Sequence, residues 1–285
     1  MSASTLVLAA GSLGDSLLTL PALQFLQTKG PVTLAGTSPY QKLGAACLGV
    51  EKVIALDPLL DALHRKDPNT LPGTPGGLYV FFKDKDAGLA ESLAAYPGWA
   101  VHWPPQSFTD FLKQERWVGH YWLDLVGHPD PSPIPRLVLT EEMRTRGAGL
   151  CARLGTPRPF VIHPGSGSPA KNAPLSFFRK AAEKTVQETT RAVLVLWGEA
   201  ETGWLDDIRK AFEGIPRATL LPGPLSLIDL AALLSQAGGY LGNDSGVTQL
   251  ASACGAKTFA VFNTTDPRLW GPQEAVILAA MGGNF

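Results

Sequence analysis

The sequence has few cysteines and no cluster of them. Only three of its 285 residues are cysteine, and Cys47, Cys151 and Cys254 stand far apart, each within an apolar or helical pattern. This spacing excludes a disulfide framework and a cysteine-based metal site. We therefore predict small buried thiols and a reducing compartment, which favours the cytoplasm.

An excess of charge of either sign is also missing. The chain has 24 Lys and Arg against 25 Asp and Glu, which gives a formal net charge of -1, and it has no basic run. This balance excludes the electrostatic footprint of a nucleic-acid-binding protein.

Long hydrophobic runs are absent as well. The stretch 1–10 is apolar but has no basic region ahead of it, and Gly11 and Asp15 interrupt it well before a membrane-spanning length. We predict a buried strand here rather than a secretion signal. The chain as a whole is expected to be soluble or peripheral on a membrane.

What the sequence has instead is an alternation of short apolar strands with amphipathic helices, which is typical of parallel sheets covered on both faces. In the first half, strands are predicted at 6–10, 31–35, 52–56, 78–82 and 100–103. In the second half, strands are predicted at 160–163, 192–197, 218–220, 239–241 and 257–262, with helices at 175–188, 202–212, 225–236 and 247–254. Because the alternation restarts, the sequence predicts two α/β domains.

A proline-rich segment separates the two halves. It runs from Gly127 to Pro135 and contains four prolines in nine residues, a density that neither a helix nor a central strand tolerates. We predict domains at 1–135 and 136–285. A further helix predicted at 141–154 could pack on either domain.

The first of three segments that could carry chemistry follows the strand at 6–10. Asp15 stands at a strand-to-helix turn on the carboxyl edge of the sheet, where open α/β folds bind ligands. Gly11 and Gly14 allow a tight turn and keep the approach to Asp15 open. Asp15 is either the N-cap of the next helix or a catalytic carboxylate. The two glycines form only part of a dinucleotide fingerprint, which disfavours a nicotinamide-dependent oxidoreductase.

The second segment is the small-residue loop after the strand at 160–163. Residues 165–168 can bring several N–H and hydroxyl donors to one anion, and Lys171 adds a full positive charge. The glycine spacing is not that of a P-loop, and a flexible surface loop is the alternative. We expect His163 to be structural, with its ring bonded to a backbone group.

The third segment, Gly242-Asn-Asp-Ser-Gly246, ends an apolar strand and opens a helical pattern. The N–H groups and the dipole of a helix start can hold a phosphate without a metal. The alternative is that Asp244 or Ser245 only caps the helix. Residues 264–266 end the next strand on the same edge, so they could border the same pocket.

Two further positions could complete a nucleotide site. Glu199 and Glu201 follow the strand at 192–197, where either could accept ribose hydroxyls or could simply suit a helix dipole. Leu225 stands before a helix, where its apolar side chain could cover a base.

Together these motifs resemble glycosyltransferase family 9, the ADP-heptose:lipopolysaccharide heptosyltransferases and their relatives. The resemblance covers most of the chain in order and is weak between Val50 and Arg136. It rests on Gly14-Asp-Ser-Leu-Leu-Thr-Leu-Pro-Ala-Leu23, His163-Pro-Gly-Ser-Gly-Ser-Pro-Ala-Lys171, Leu196-Trp-Gly-Glu-Ala-Glu201, Gly223-Pro-Leu-Ser-Leu-Ile-Asp-Leu230 and Gly242-Asn-Asp-Ser-Gly246.

The resemblance implies an α/β fold of two facing Rossmann-like domains of the GT-B type, with the acceptor mainly on the first and the donor nucleotide on the second. It implies an inverting, metal-independent glycosyltransferase that needs no cofactor. The expected reaction moves a sugar, heptose from ADP-heptose, onto a lipopolysaccharide-core or related anionic glycan. The expected setting is bacterial, with peripheral contact at the cytoplasmic face of the inner membrane.

Residue roles follow by position in the motifs. Asp15 matches the family's catalytic carboxylate, and Lys171 matches its phosphate-contacting lysine. The implied nucleotide-sugar site comprises Ser166, Gly167, Lys171, Glu201, Leu225, Asp244, Ser245 and Gly246. The expected acceptor side includes Ser12, Gly14 and Gln249.

Two positions depart from the family pattern. Ala173 stands where relatives commonly have tryptophan, and Gln249 where they commonly have histidine. The alternatives are therefore a non-catalytic nucleotide-sugar-binding protein of the same fold and a nucleotide-sugar epimerase. Basic residues of the first half could meet an anionic acceptor, although each alone is typical of a solvated surface; they are His64, Arg65, Lys66, Lys83, Lys85, Lys113 and Arg116.

Overall fold

The computed structural model describes residues 5–67, 69–71, 76–128 and 134–279. The chain divides into two compact units, Met1–Val138 and Leu139–Phe285. This division falls a few residues after the end of the proline-rich segment, of which residues 129–133 lie outside the described part. Each unit contains one sheet in which neighbouring strands are parallel.

The first unit is a five-stranded sheet with helices between its strands. Its strands are β1 (Thr5–Ala9), β2 (Val32–Gly36), β3 (Lys52–Ala55), β4 (Gly77–Phe81) and β5 (Ala100–His102). Its helices are α1 (Leu13–Leu18), α2 (Leu20–Lys29), α3 (Ser38–Leu48), α4 (Leu56–His64), α5 (Ala87–Leu93), α6 (Phe108–Leu112) and α7 (Gly119–Val126). The strand order is β3-β2-β1-β4-β5.

Burial of β1 on both faces explains its unbroken apolar sequence. Leu6 and Leu8 pack in one core with Leu78 of β4 and Leu63 of α4. Val7, whose side chain points to the opposite face of the strand, is fully buried as well. A strand covered on both sides has no position for a polar residue, and this is what the sequence pattern predicts.

The second unit is a six-stranded sheet. Its strands are β6 (Phe160–His163), β7 (Val193–Val195), β8 (Ala218–Leu220), β9 (Gly239–Asn243), β10 (Thr258–Phe262) and β11 (Val276–Ala279). Its helices are α8 (Glu141–Arg153), α9 (Leu175–Glu188), α10 (Leu205–Phe212), α11 (Leu227–Leu234), α12 (Gly246–Ala253) and α13 (Pro267–Trp270), with 3-10 turns at Pro169–Lys171 and Glu199–Trp204. The strand order is β11-β10-β9-β6-β7-β8.

The second unit differs from the sequence-based prediction at several elements, among them its edge strand and the start of one helix. The edge strand β11 was not predicted, because an apolar run this short has no periodicity that separates strand from helix. The helix predicted at 202–212 is α-helical only from Leu205. Its first part is a 3-10 turn, closed where the Gly198 N–H donates to the Glu201 carboxylate over 2.7 Å.

The order of strands reverses beside the first strand of each unit. In the first unit β1 lies between β2 and β4, and in the second β6 lies between β7 and β9. The connections from the two neighbouring central strands leave in opposite directions, which opens a crevice at the carboxyl edge of the sheet. Open α/β folds bind their ligands at such a switch point, so each unit has one place where a site is expected.

Helix α8 belongs to the second unit, where it packs closely on α11. Gly147 of α8 allows this contact, since a Cβ at that position would lie 2.1 Å from the carbonyl oxygen of Ala232. The side chain of Arg146 also bonds to Asp229 at the start of α11. The choice that the sequence left open is therefore settled by a close helix-to-helix approach.

We expect Gly147→Ala to lower the free energy of unfolding by about 1–3 kcal/mol, because the added methyl group overpacks the interface of α8 with α11. Gly149→Ala on the same helix is the matched control, since its Cβ would meet nothing closer than Arg153 Nη1 at 3.8 Å. That control should stabilise the protein by about 0.5–1 kcal/mol. Urea unfolding of both variants measures the difference, and equal effects would contradict the close approach.

Candidate functional site

Asp15 lies on the first turn of α1, just beyond the end of β1. Gly11 makes the turn with a φ of 151°, and a Cβ on it would come within 2.6 Å of the Asp15 Cβ. Ser12 is the N-cap of α1, and Asp15 closes a capping box by accepting the Ser12 N–H over 3.0 Å. The interpretation of Asp15 as the N-cap is therefore wrong, because Ser12 holds that position and Asp15 stands three residues later.

The second carboxylate oxygen of Asp15 faces a lysine from the neighbouring strand. Lys83 follows β4, and its Nζ lies 3.0 Å from Asp15 Oδ1. Because β1 and β4 pair in register, the loops that follow them meet at the switch point. The ion pair thus sits where the topology of the first unit predicts a ligand.

Opposing effects set the charge state of Asp15. Burial raises the pKa of this carboxyl, but the hydrogen bonds from Lys83 and Ser12 together with the charge of Lys83 outweigh it, so the pKa lies below its ordinary value. The side chain is 18% exposed. Asp15 is therefore an ionised, reachable proton acceptor at neutral pH.

The other basic residues considered for an anionic acceptor are in part already paired. Ion pairs join Lys66 to Glu91, Lys113 to Asp110 and Arg116 to Asp124. Of the predicted acceptor-side residues in this unit, Ser12 is exposed at the N-cap and Gly14 lies in the first turn of α1. Lys83 is the residue that sequence reasoning undervalued, because only the strand order places it beside Asp15.

The second unit brings three loops together at its own switch point. Lys171 follows β6, Asp244 follows β9 and Thr265 follows β10. Lys171 Nζ lies 2.6 Å from Asp244 Oδ2, and the hydroxyl of Thr265 donates to the same oxygen over 2.6 Å. Lys171 keeps 31% of its side chain exposed while Asp244 keeps 10%. Lys171 is therefore a partly exposed cation held at this edge by Asp244.

Ser245, not Asp244, caps the helix that begins here. The Ser245 hydroxyl accepts the Thr248 N–H over 3.3 Å, and α12 starts at Gly246. Asp244 is thereby available for its ion pair with Lys171. The start of α12 and the Lys171 ammonium group lie at the same edge of the sheet, where the helix dipole adds positive potential and the Asp244 carboxylate offsets part of the lysine charge.

Two asparagines form hydrogen bonds that hold the loop after β6 in place, and neither was assigned a role from the sequence. Asn243, fully buried at the end of β9, donates to the Pro164 carbonyl over 2.7 Å and accepts the Ala173 N–H over 2.9 Å. Asn172 Oδ1 lies 2.7 Å from Ser166 Oγ. A buried amide at the end of an apolar strand is the signal that could have identified Asn243. Ser166 is buried in this network, whereas Gly167 beside it is exposed.

Glu201 is buried beneath the same loop. Its Oε2 lies 3.4 Å from His163 Nε2, and a Cβ on Gly165 would come within 1.7 Å of its Oε1. Burial raises the pKa of Glu201, but bonds to His163 and the Gly198 N–H outweigh it, so the pKa is lowered. The predicted backbone partner of the His163 ring is wrong, because the ring meets the Glu201 carboxylate.

Three further residues singled out in the sequence are not members of the Lys171–Asp244 ion pair, and each has its own setting. Leu225 is partly exposed and precedes α11, whose N-cap is Ser226. Gln249 is buried in α12 and donates to the Trp270 carbonyl over 2.6 Å, so its amide holds the segment after β10. Ala173 is buried in the core of the second unit.

A pocket of about 720 Å³ opens beyond the carboxyl end of β10. It is lined by the segment from Asn263 to Arg268, which follows β10. Thr265 belongs to this lining and also bonds to Asp244. Thr265 thus connects the segment predicted to border the site with Asp244, and the role of residues 264–266 in binding stays a prediction.

The described residues form neither a metal-binding cluster nor a membrane-spanning helix. In that part of the chain, no three His, Cys, Asp or Glu side chains gather closely enough to hold a metal ion. None of the described helices is long and apolar enough to cross a bilayer. The three cysteines are buried thiols, as predicted.

These two parallel-sheet units define an α/β protein with two Rossmann-like domains, the architecture of GT-B type glycosyltransferases. The model of glycosyltransferase family 9 (heptosyltransferase) matches residues 115–281, which is more than half of the chain. The chain therefore belongs to this family and is a glycosyltransferase. The family resemblance, the fold class and the enzyme class drawn from the sequence are confirmed.

Solved structures share this fold. A family 9 glycosyl transferase of Veillonella parvula matches with a TM-score of 0.78 and 17% identity, over 100% of this chain and 89% of that chain. The ADP-heptose lps heptosyltransferase II of E. coli matches with a TM-score of 0.75 and 16% identity, over 97% of this chain and 89% of that chain. The E. coli heptosyltransferase WaaC with ADP matches with a TM-score of 0.68 and 16% identity, over 98% of this chain and 94% of that chain. Among curated proteins none matches.

We expect Lys83→Met to raise the pKa of Asp15, because burial of the carboxylate remains while its ion pair is lost. The carboxyl carbon of Asp15, followed by NMR during a pH titration, reports this directly. Lys85→Met removes the same charge two residues away, from a lysine whose Nζ lies over the Trp103 ring at 5.7 Å. The pKa of Asp15 should stay unchanged in that control, and an equal rise in both variants would contradict a specific ion pair.

Proposed function

We propose that this enzyme transfers a sugar, heptose from ADP-heptose, to a hydroxyl of an anionic glycan such as a lipopolysaccharide core. The observation that carries the proposal is Asp15, an ionised and partly exposed carboxylate at the switch point of the first unit. A sugar hydroxyl is a poor nucleophile at neutral pH, and a carboxylate positioned beside it supplies the missing proton acceptor.

In the proposed step, the acceptor oxygen attacks the anomeric carbon while its proton passes to Asp15. The bond between the anomeric carbon and the phosphate oxygen breaks, and its electron pair leaves with the nucleoside diphosphate. Attack and departure on opposite faces invert the anomeric centre. No enzyme-bound sugar is needed, so one carboxylate is sufficient.

The leaving diphosphate needs stabilisation of its charge more than it needs a proton. Lys171, 31% exposed and held by Asp244, provides a full positive charge. Unpaired N–H groups at the start of α12, where Ser245 and Gly246 lie, provide further donors. We propose that these groups stabilise the diphosphate in place of a metal ion, and that Ser166 and Gly167 complete the phosphate loop.

The identity of the donor is supported by the family and by the nucleotide of a relative, since E. coli WaaC was solved with ADP. We assign Glu201 and Leu225 to the ribose and the base. Within the described residues, Glu201 Oε1 has no hydrogen-bond partner, and Leu225 is partly exposed. The proposed acceptor, an anionic glycan such as a lipopolysaccharide core, would be presented at the cytoplasmic face of the inner membrane. We therefore place the enzyme at that face.

Asp15→Asn is expected to lower the rate of transfer by about 100-fold or more, because the amide cannot accept the proton. Binding of ADP, followed by calorimetry, should be unchanged. The matched control is Asp61→Asn, the same substitution at an exposed carboxylate of α4. Turnover retained in the Asp15 variant would remove this residue from the role. Binding of ADP without any turnover by the unmodified protein would instead favour a non-catalytic nucleotide-sugar-binding protein.

A second test addresses the donor. Lys171→Met should weaken ADP binding by roughly tenfold or more, because one charge-assisted hydrogen bond to phosphate is lost. Lys180→Met, on the exposed face of α9, is the control and should bind ADP as the unmodified protein does.

In a thermal-shift panel with ADP, UDP, GDP and NAD, ADP should raise the melting temperature most. A larger shift of the melting temperature with UDP or GDP would overturn the heptose assignment. A larger shift with NAD would overturn the proposed transferase chemistry.

A further inference from the structure

We propose a second anion site in the second unit, which binds a phosphate group and lies at the edge of the sheet opposite to the Lys171 loop. A pocket of about 430 Å³ opens at the amino ends of β6, β7 and β8. We call it the amino-edge pocket, and its polar lining comprises Thr156, Arg158, Thr190, Arg191, Arg217 and Thr219. Parallel strands run from this edge to the other, so the two sites are separated by the length of a strand.

Strand register brings three arginines to this pocket. Arg158, Arg191 and Arg217 each stand one or two residues before a strand, and those strands are neighbours in the sheet. Phe160 pairs with Val193, which in turn pairs with Ala218. Residues ahead of paired strands meet at one edge, so the arginines converge from three separate loops.

Their charges are not neutralised by acids. In the described part of the chain, none of the three arginines forms an ion pair with a carboxylate. Arg191 donates to the Gly238 carbonyl over 2.9 Å, and Arg217 to the carbonyls of Val186 and Thr189 at the end of α9. The pocket lining contains no Asp or Glu. These contacts orient the guanidinium groups of Arg191 and Arg217. Because the acceptors are neutral carbonyl groups, the pocket keeps a positive charge that an anionic ligand can neutralise.

A buried hydroxyl points to the same conclusion. Thr156 is 6% exposed and lines the amino-edge pocket, yet its Oγ1 has no hydrogen-bond partner among the described residues. A buried hydroxyl without a hydrogen-bond partner destabilises the folded protein, so most buried hydroxyls in native proteins have one. An anion in the pocket would accept its proton.

The backbone around the pocket is held in an uncommon conformation. Arg158 and Arg217 have φ angles of 53° and 57°, in the left-handed region that residues with a side chain seldom adopt. Such conformations persist where the surrounding structure fixes them, and they are frequent at ligand sites. Here they place two arginines on the rim of one cavity.

The chemistry of the lining selects the ligand class. Guanidinium groups bind phosphate through paired N–H donors, and a hydroxyl adds a further donor. Three cations and one buried hydroxyl match a group that carries several oxygens and more than one negative charge. The ligand is therefore a phosphate group, either of a small dissolved anion or of a lipid headgroup.

The variants for a test are chosen to spare the fold. Arg217 holds the end of α9, so the double variant Arg158→Gln/Arg191→Gln is used in its place. Lys180→Gln/Lys210→Gln is the matched control, since it removes two exposed positive charges from the same unit. Thr156→Val deletes only the unpartnered hydroxyl and should leave the thermal stability of the unliganded protein unchanged or slightly higher.

Binding of inorganic pyrophosphate is measured by calorimetry with saturating ADP present, and sedimentation with phosphatidylglycerol vesicles is measured alongside. We expect Arg158→Gln/Arg191→Gln to weaken one of these interactions by roughly tenfold or more, Thr156→Val to weaken the same one, and the lysine control to keep it. If the variants lose pyrophosphate binding, the ligand of the amino-edge pocket is a dissolved anion. If they lose vesicle binding, the ligand is a lipid headgroup. If neither interaction depends on Arg158, Arg191 and Thr156, the proposal is overturned, whatever the transfer assays show.

Discussion

The reversal of strand order beside β1 and β6 is the constraint on which the chemistry of both units depends. Connections leave the central strands in opposite directions, so the loops at the carboxyl edge separate and expose the backbone there. Asp15 and Lys83 follow β1 and β4, while Lys171 and Asp244 follow β6 and β9. Residues distant in sequence become neighbours only because their strands are paired. A different strand order would leave the same residues scattered.

Both switch points use a carboxylate and a lysine, but with opposite emphasis. In the first unit, against the effect of burial, Lys83 lowers the pKa of the Asp15 carboxyl, which keeps 18% of its side chain exposed. In the second unit Asp244 keeps only 10% of its side chain exposed, and the ammonium group of Lys171 is the accessible member of the pair. One arrangement favours accepting a proton and the other favours holding an anion. Membership of family 9 identifies the chain as a glycosyltransferase, and the proposed sugar transfer uses both capacities.

Most of the fold could be predicted from the sequence, whereas the pairings within the sites could not. Apolar strands such as β1 and β6 were recognisable because burial on both faces leaves them without polar positions. Edge strand β11 has no such signature, and the ring of His163 meets Glu201 where a backbone partner was expected. Asp15 was placed correctly at its turn, but its neighbour Ser12 holds the N-cap. Local pattern cannot rank two capping residues three positions apart.

The sequence by itself determined the α/β class, the family and the positions of Asp15, Lys171 and Asp244 at strand ends, because these follow from short-range patterning and from motif order. Only the tertiary structure decided that Lys83 faces Asp15, that Glu201 is buried under its loop, and that three arginines meet at the amino edge of the second sheet. The reason is physical. Hydrophobic periodicity specifies which face of a strand is buried, but strand order and register decide which loops become neighbours, and charge pairing depends on that neighbourhood.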